Sequence, residues 1–158
     1  MKKTKFIIFF LLCASVFMIT SGCVASEKTP VSTESFLSEM KKIGFEAHDI
    51  KEKYADADHV LEVYVCVNQK AGFQIEFYRF NSEDTAKRIF AGNKKETEDN
   101  AGSKSSYSSV VIGNYGKFRQ TSNGEYIVIS QIADTLIYIK APEGNKVVVN
   151  NILDGIGY

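Results

Sequence analysis

Between Val60 and Asn68 the chain reads VLEVYVCVN, and its side chains alternate in character. A period of two belongs to an extended strand and to no helix. Leu61, Val63, Val65 and Val67 fall on one side, and Glu62, Tyr64, Cys66 and Asn68 on the other. A second run follows the short turn Gln69–Ala71. In it Phe73, Ile75 and Phe77 oppose Gln74, Glu76 and Tyr78. Two such runs joined by so short a turn predict an antiparallel hairpin. A lone hairpin is marginal in water, so the rest of the chain has to supply a cover and further strands.

Helical periodicity supplies the cover. Ser32 is placed to cap a first helix, and Val31 and Phe36 are spaced as a hydrophobic staple. Phe36, Leu37, Met40 and Ile43 form one apolar stripe, Gly44 caps its end, and Phe45 folds back behind it. The polar segment from Glu46 to His59 reads as a connector. A second helix starts at Asn81 or Ser82, with Glu83 and Asp84 in its first turn and Ala86, Ile89 and Phe90 buried. Lys94 to Ser106 (KKETEDNAGSKSS) reads as a loop. Strand character resumes from Tyr107 to Gln120, broken near Gly113 or Gly116. Asn123-Gly124 is a type I′ hairpin signal linking Lys117–Thr121 to Glu125–Ile132. Ala133-Asp134 marks a bulge or tight turn before a last strand, Thr135 to Ala141, which Pro142 stops. Glu143 to Ile156 forms a closing helix with Val148, Val149, Ile152 and Ile156 on one side. It ends Gly-Ile-Gly-Tyr, echoing the Lys-Ile-Gly-Phe that ends the first helix.

The predicted order is therefore α-β-β-α-β-β-β-α. It describes an α+β domain with an antiparallel sheet of about five strands and helices packed on one face. On that reading Glu62, Tyr64, Gln74, Glu76 and Tyr78 share the uncovered face. Tyrosines among adaptable polar side chains suit protein recognition, so these five residues form the candidate interaction face. An ordinary solvated sheet face would look the same.

The start of the chain bears on location. Lys2, Lys3 and Lys5 precede an uncharged stretch from Phe6 to Ile19, then the small residues Thr20-Ser21-Gly22, then Cys23. That is the layout of a secretory signal. Ending at a Cys, it resembles the lipobox of bacterial lipoproteins, although Thr20 stands where that motif usually has Leu. The resemblance implies that Cys23 receives a diacylglyceryl and acyl anchor and that the peptide is cut just before it. Residues 1–22 are then a signal peptide, 23–31 the lipidated Cys and a polar tether, and 32–158 a single domain. The fourteen residues from Phe6 to Ile19 are short for a membrane span, which needs ~20. An uncleaved anchor and a plain secretory signal are the competing readings. At least two chains on Cys23 would make the attachment stable. The expected location is the extracytoplasmic face of the cell membrane.

Charge and cysteines narrow the functional classes. Without residues 1–22 the chain carries sixteen basic and nineteen acidic side chains, a net of −3. That balance argues against nucleic-acid binding. With Cys13 in the signal and Cys23 acylated, Cys66 alone remains and no internal disulfide is expected. His48, Asp49, Asp56, Asp58 and His59 share the polar connector, but their spacing fits no zinc or calcium pattern, so no metal is assigned. No nucleophile elbow, zincin helix or P-loop is present, so neither an enzyme nor a cofactor is expected. The segments GNYGKF, NGEYIVISQIADTLIYIKA and ILDGIGY resemble small lipoproteins of low-GC Gram-positive bacteria, mostly uncharacterised. That resemblance implies a membrane-anchored extracytoplasmic domain and brings no catalytic residue. Two functions stay open: an interaction module for another envelope protein, and a lipoprotein that binds a small ligand or metal ion.

Overall fold

The computed structural model describes residues 27–158. The signal stretch and Cys23 lie outside the described residues. Among the described residues three helices and seven strands follow one another as α1 (Thr33–Lys42), β1 (Glu46–Asp49), β2 (Val60–Asn68), β3 (Phe73–Phe80), α2 (Glu83–Asp99), β4 (Ser105–Ile112), β5 (Tyr115–Ser122), β6 (Glu125–Ile132), β7 (Thr135–Pro142) and α3 (Lys146–Gly155). Single 3-10 turns at Lys51–Tyr54 and Glu143–Asn145 precede β2 and α3. All strands join one antiparallel sheet in the order β1-β2-β3-β7-β6-β5-β4.

The expected five-strand sheet is thus corrected to seven strands, in the order α-β-β-β-α-β-β-β-β-α. Two strands account for the difference. Glu-Ala-His-Asp, read as connector, forms β1, an edge strand exposed at every residue. It pairs Glu46 with Val67 and Asp49 with Tyr64 through its backbone, so its side chains carry no alternation to detect. The region from Tyr107 to Gln120 breaks at Gly113-Asn114 and yields both β4 and β5. The second helix also runs further than its apolar residues suggested, through Lys94 to Asp99. Lys94–Glu98 and Lys95–Asp99 ion pairs, spaced i to i+4, support that polar extension.

Helices cover both faces, not one. On the first face α1 and α3 bury Phe36, Met40, Val149 and Leu153 against Ile75, Phe77, Val128, Ile137 and Ile139. The Phe36 and Phe77 rings stack with centroids 4.5 Å apart. On the second face α2 buries Ala86 and Phe90 against Val63, Phe80, Phe118, Ile129 and Leu136, with Ile50 and Tyr54 of the β1–β2 connection beside them. The reason is in the central strands. β6 and β7 (EYIVISQI and TLIYIKAP) are apolar at both parities, as strands buried on two sides must be. A half-covered sheet would have left one set of these side chains in water.

Local chemistry explains the element ends. Ser32 accepts a hydrogen bond from Ser35 N (3.2 Å), and Ser82 accepts one from Thr85 N (3.2 Å). The echoed helix ends share one geometry. Phe45 N donates to Met40 O (2.9 Å) and Tyr158 N to Leu153 O (2.8 Å), each past a glycine at φ near +84° (Gly44 +83°, Gly157 +85°). Both aromatics are buried in the first core. Asn123 and Gly124 adopt the positive φ values (53° and 77°) that a type I′ turn needs, and Ala133-Asp134 is a tight turn with Ala133 at φ 48°. Lys28, in the expected tether, is held against the domain: its N–H donates to Asn114 Oδ1 (2.9 Å) and its carbonyl accepts from Asn114 Nδ2 (2.7 Å).

Candidate functional site: a polar cleft beside the second helix

The hairpin register decides where the predicted face goes. Asn68 Oδ1 accepts from Lys70 N (3.0 Å) and Ala71 N (3.1 Å), and the turn so fixed pairs Asn68 with Phe73. From there to Glu62–Arg79 every pair joins residues of opposite parity, so the even-numbered residues of β2 oppose odd-numbered ones of β3, such as Tyr64 with Phe77 and Glu62 with Arg79. Opposed residues share a face. The five expected residues are therefore split. Glu62 and Tyr64 lie on the first face, under α1. Gln74, Glu76 and Tyr78 lie on the second, beside α2. The interaction face as predicted is not one surface.

Glu62 is occupied structurally. It accepts from the Arg79 guanidinium and from the Thr33 hydroxyl, tying the start of α1 to β2 and β3. The Arg79 hydrogen bond, opposed by partial burial, holds its carboxyl below the usual range. Tyr64 packs at the edge of the first core, and its phenol is raised by burial. Glu62 is thus already engaged, and Tyr64 is half-buried against the core.

The other three form a connected chain. Gln74 Nε2 donates to Glu76 Oε1 (2.8 Å), the Tyr78 hydroxyl donates to Glu76 Oε2 (2.6 Å), and the Tyr54 hydroxyl lies 3.3 Å from that of Tyr78. Burial, with hydrogen bonds to Glu76 and Tyr54 added, pushes the Tyr78 phenol far above its ordinary range, so it stays a donor. Glu76 and Tyr78 open into a cleft of about 510 Å³ between the sheet and the C-terminal half of α2. Asn93, Glu96, Thr97 and Asn100 form the helix wall, and Gln120, Ile127, Tyr138 and Lys140 line the sheet side.

Two features position that wall. Gly116 lets α2 approach the sheet, because a Cβ there would stand 3.0 Å from the Phe90 ring. Gln120 then fastens the helix, its Nε2 donating to Thr97 O (3.1 Å). The same amide leaves its Oε1 without a partner, although Gln120 is only 3% exposed and lines the cleft. A buried acceptor without a donor costs roughly 1–3 kcal/mol.

No protein family, curated protein or solved structure matches this chain. The site is accordingly read from its own chemistry. Lys140 is paired with Glu125 (2.9 Å), and that hydrogen bond raises its ammonium. Among the described residues Glu76 and Glu96 have no basic partner within salt-bridge distance. Burial raises the Tyr138 phenol, so it too remains a donor. The cleft thus offers two carboxylates without a basic partner, that of Glu76 already accepting from Gln74 and Tyr78, together with one unpartnered amide oxygen and two phenols.

The other singled-out residues lie elsewhere. His48 sits on β1 with Nε2 4.0 Å from Glu46, and His59 precedes β2 beside the Phe80 ring. Among the described residues no three His, Cys, Asp or Glu side chains converge. Cys66 is fully buried in the first core, where desolvation pushes its thiol up to about 12. Sequence reasoning missed Gln120, Glu96 and Lys140. The one available signal was a polar side chain interrupting an apolar strand, as Lys140 does in TLIYIKAP; Gln120 stands among the polar residues of YGKFRQTS and gave none.

Proposed function

We propose that this chain is a lipid-anchored extracytoplasmic domain that holds a small, amine-bearing cation in the cleft between α2 and the sheet. The observation that carries the reading is the unpartnered, buried Oε1 of Gln120 in a cleft also lined by Glu76 and Glu96, whose carboxylates have no basic partner among the described residues. An N–H donor from a ligand relieves the amide oxygen, and a positive charge balances the two carboxylates. Tyr138 and Ile127 supply apolar surface for the ligand's carbon frame. A volume of about 510 Å³ lies in the ~300–1,000 Å³ range of small-molecule sites. The lipid anchor rests on the lipobox-like sequence ending at Cys23, and it sets the site at the outer face of the cell membrane. Binding, not catalysis, is the role.

A thermal-denaturation panel tests this. Spermidine, glucosamine, lysine and ethanolamine are each titrated against the protein and its Glu76→Gln and Glu96→Gln variants. A ligand at a hundred times its Kd adds about 2.7 kcal/mol to stability. Stabilisation by at least one amine, lost in both variants, is the expected result. A flat response to all four amines, or equal stabilisation of the variants, refutes the proposal.

A further inference from the structure

We propose that β4 is the contact through which two copies of this chain pair, edge to edge and antiparallel, about a two-fold axis through Ser109. The two edges of the sheet differ in a way that matters. β1 is four residues long and carries Glu46 and Asp49. β4 is eight residues long, SSYSSVVI, exposed throughout, and has no charge, no proline and no bulge against β5. Tyr107, Val111 and Ile112 are 67%, 63% and 53% exposed. An edge strand presents unpaired N–H and C=O groups, and proteins blunt such edges with shortness and charge. β1 is blunted and β4 is open.

The strand is complementary to itself. In an antiparallel pair, opposed residues share a face. An axis at Ser109 sets Tyr107 opposite the partner's Val111, and the partner's Tyr107 opposite Val111, an aromatic on a β-branched side chain twice over. On the other face Val110 meets Ser108 and Ile112 meets Ser106. The pairing uses Ser106 to Ile112 and opposes no charge to any other. Contact of β4 with a β1 edge would not close, and it would set this apolar strand against Glu46 and Asp49.

The direction of the leading chain favours a second copy over an unrelated strand. Lys28 is pinned by Asn114, and its Nζ lies 4.0 Å over the Tyr115 ring. Tyr115 packs on the first core, under α1 and α3. A two-fold axis normal to the sheet therefore leaves both leading chains on one side of the paired sheets, as two anchors in one membrane require. This step rests on the lipid-anchor reading; the strand complementarity does not. One strand pair is a small contact beside the ~1,200–2,000 Å² of stable complexes. Confinement to a membrane supplies the effective concentration it needs.

The test is a cysteine scan. Single cysteines replace each residue from Ser106 to Ile112 in the full chain on membranes, and disulfides are formed with an oxidant. Only the on-axis residue faces its own copy. Each step away adds roughly 6.6 Å along the strands between equivalent residues. The expected profile peaks at Ser109→Cys and falls on both sides. Cys66, fully buried with its thiol pushed up to about 12, stays silent. Ser109→Lys sets two like charges across the axis and should cut crosslinking of co-expressed Tyr107→Cys and Val111→Cys chains at least tenfold, with melting unchanged at this exposed position. The Cys23→Ala protein, concentrated in solution, should keep the same peak whether or not anchoring occurs. A flat profile in both forms, a peak elsewhere, or crosslinking indifferent to Ser109→Lys overturns the proposal.

Discussion

Gly116→Ala is the substitution that most sharply tests how α2 is seated. The new Cβ would stand 3.0, 3.1 and 3.3 Å from three atoms of the Phe90 ring. Backbone strain plays no part, because Gly116 does not have a positive φ. The ring has little room to give, being 5% exposed and enclosed by Val63, Phe118, Ile129 and Leu136. Overpacking of this kind costs roughly 1–3 kcal/mol. At ~2.1 cal/mol/K per residue, a domain of residues 27–158 loses about 4 °C of Tm per kcal/mol. Calorimetry should therefore show a fall of about 4–11 °C. Phe90→Leu removes the opposing ring and should relieve the clash. In a double-mutant cycle with Gly116→Ala the two costs should fall short of additivity by about 1 kcal/mol or more. A neutral Gly116→Ala, or strictly additive costs, would show that α2 does not rest on Gly116 as described.

The Glu62–Arg79 pair should make stability depend on acid. Because the Arg79 hydrogen bond holds the folded-state carboxyl below its ordinary value, the contribution is complete above that ordinary value and is lost as pH falls through the lowered one. Urea melts should find Glu62→Gln destabilised by about 1 kcal/mol at pH 7, with the gap narrowing as pH falls below the ordinary carboxylate range; a gap that widens in acid contradicts the pairing. In the Cys23→Ala protein the Cys66 thiol should react with a disulfide reagent no faster than the domain unfolds, since it is buried and pushed up to about 12. Rapid labelling of the native protein would disprove its burial. The Cys23→Ala form should also leave the membrane fraction or accumulate unprocessed, and unchanged processing and retention would defeat the lipoprotein reading.

Most elements were legible because their signals are local. The α1 stripe, the Ser32 and Ser82 caps, the hairpin from Val60 to Phe80 and the Asn123-Gly124 turn all depend on residues close in sequence. β1 was illegible because an exposed edge strand needs only its backbone, and Glu-Ala-His-Asp shows no period. The second covered face was written in EYIVISQI and TLIYIKAP, whose apolar side chains fall at both parities and so announce burial from both sides. The predicted site failed on parity. Grouping Glu62 and Tyr64 with Gln74, Glu76 and Tyr78 assumes a register that pairs even with even. The Asn68 turn imposes the opposite, and a register slip of one residue moves a strand's whole side-chain set to the other face. The cleft depends on residues as distant as Glu76, Glu96 and Gln120, which no local pattern connects.

The central claim is that the cleft receives a small amine at Gln120, and the side-chain amide of that residue is its most direct reporter. Two-dimensional nitrogen–proton spectra recorded during titration with spermidine and with glucosamine follow this resonance beside those of Asn93, Asn100 and Asn123. The account predicts saturable shifts at Gln120 and the cleft asparagines with at least one of the two, abolished in the Glu76→Gln, Glu96→Gln double variant. An unmoved Gln120 amide with both amines, or shifts that persist in the double variant, would contradict it.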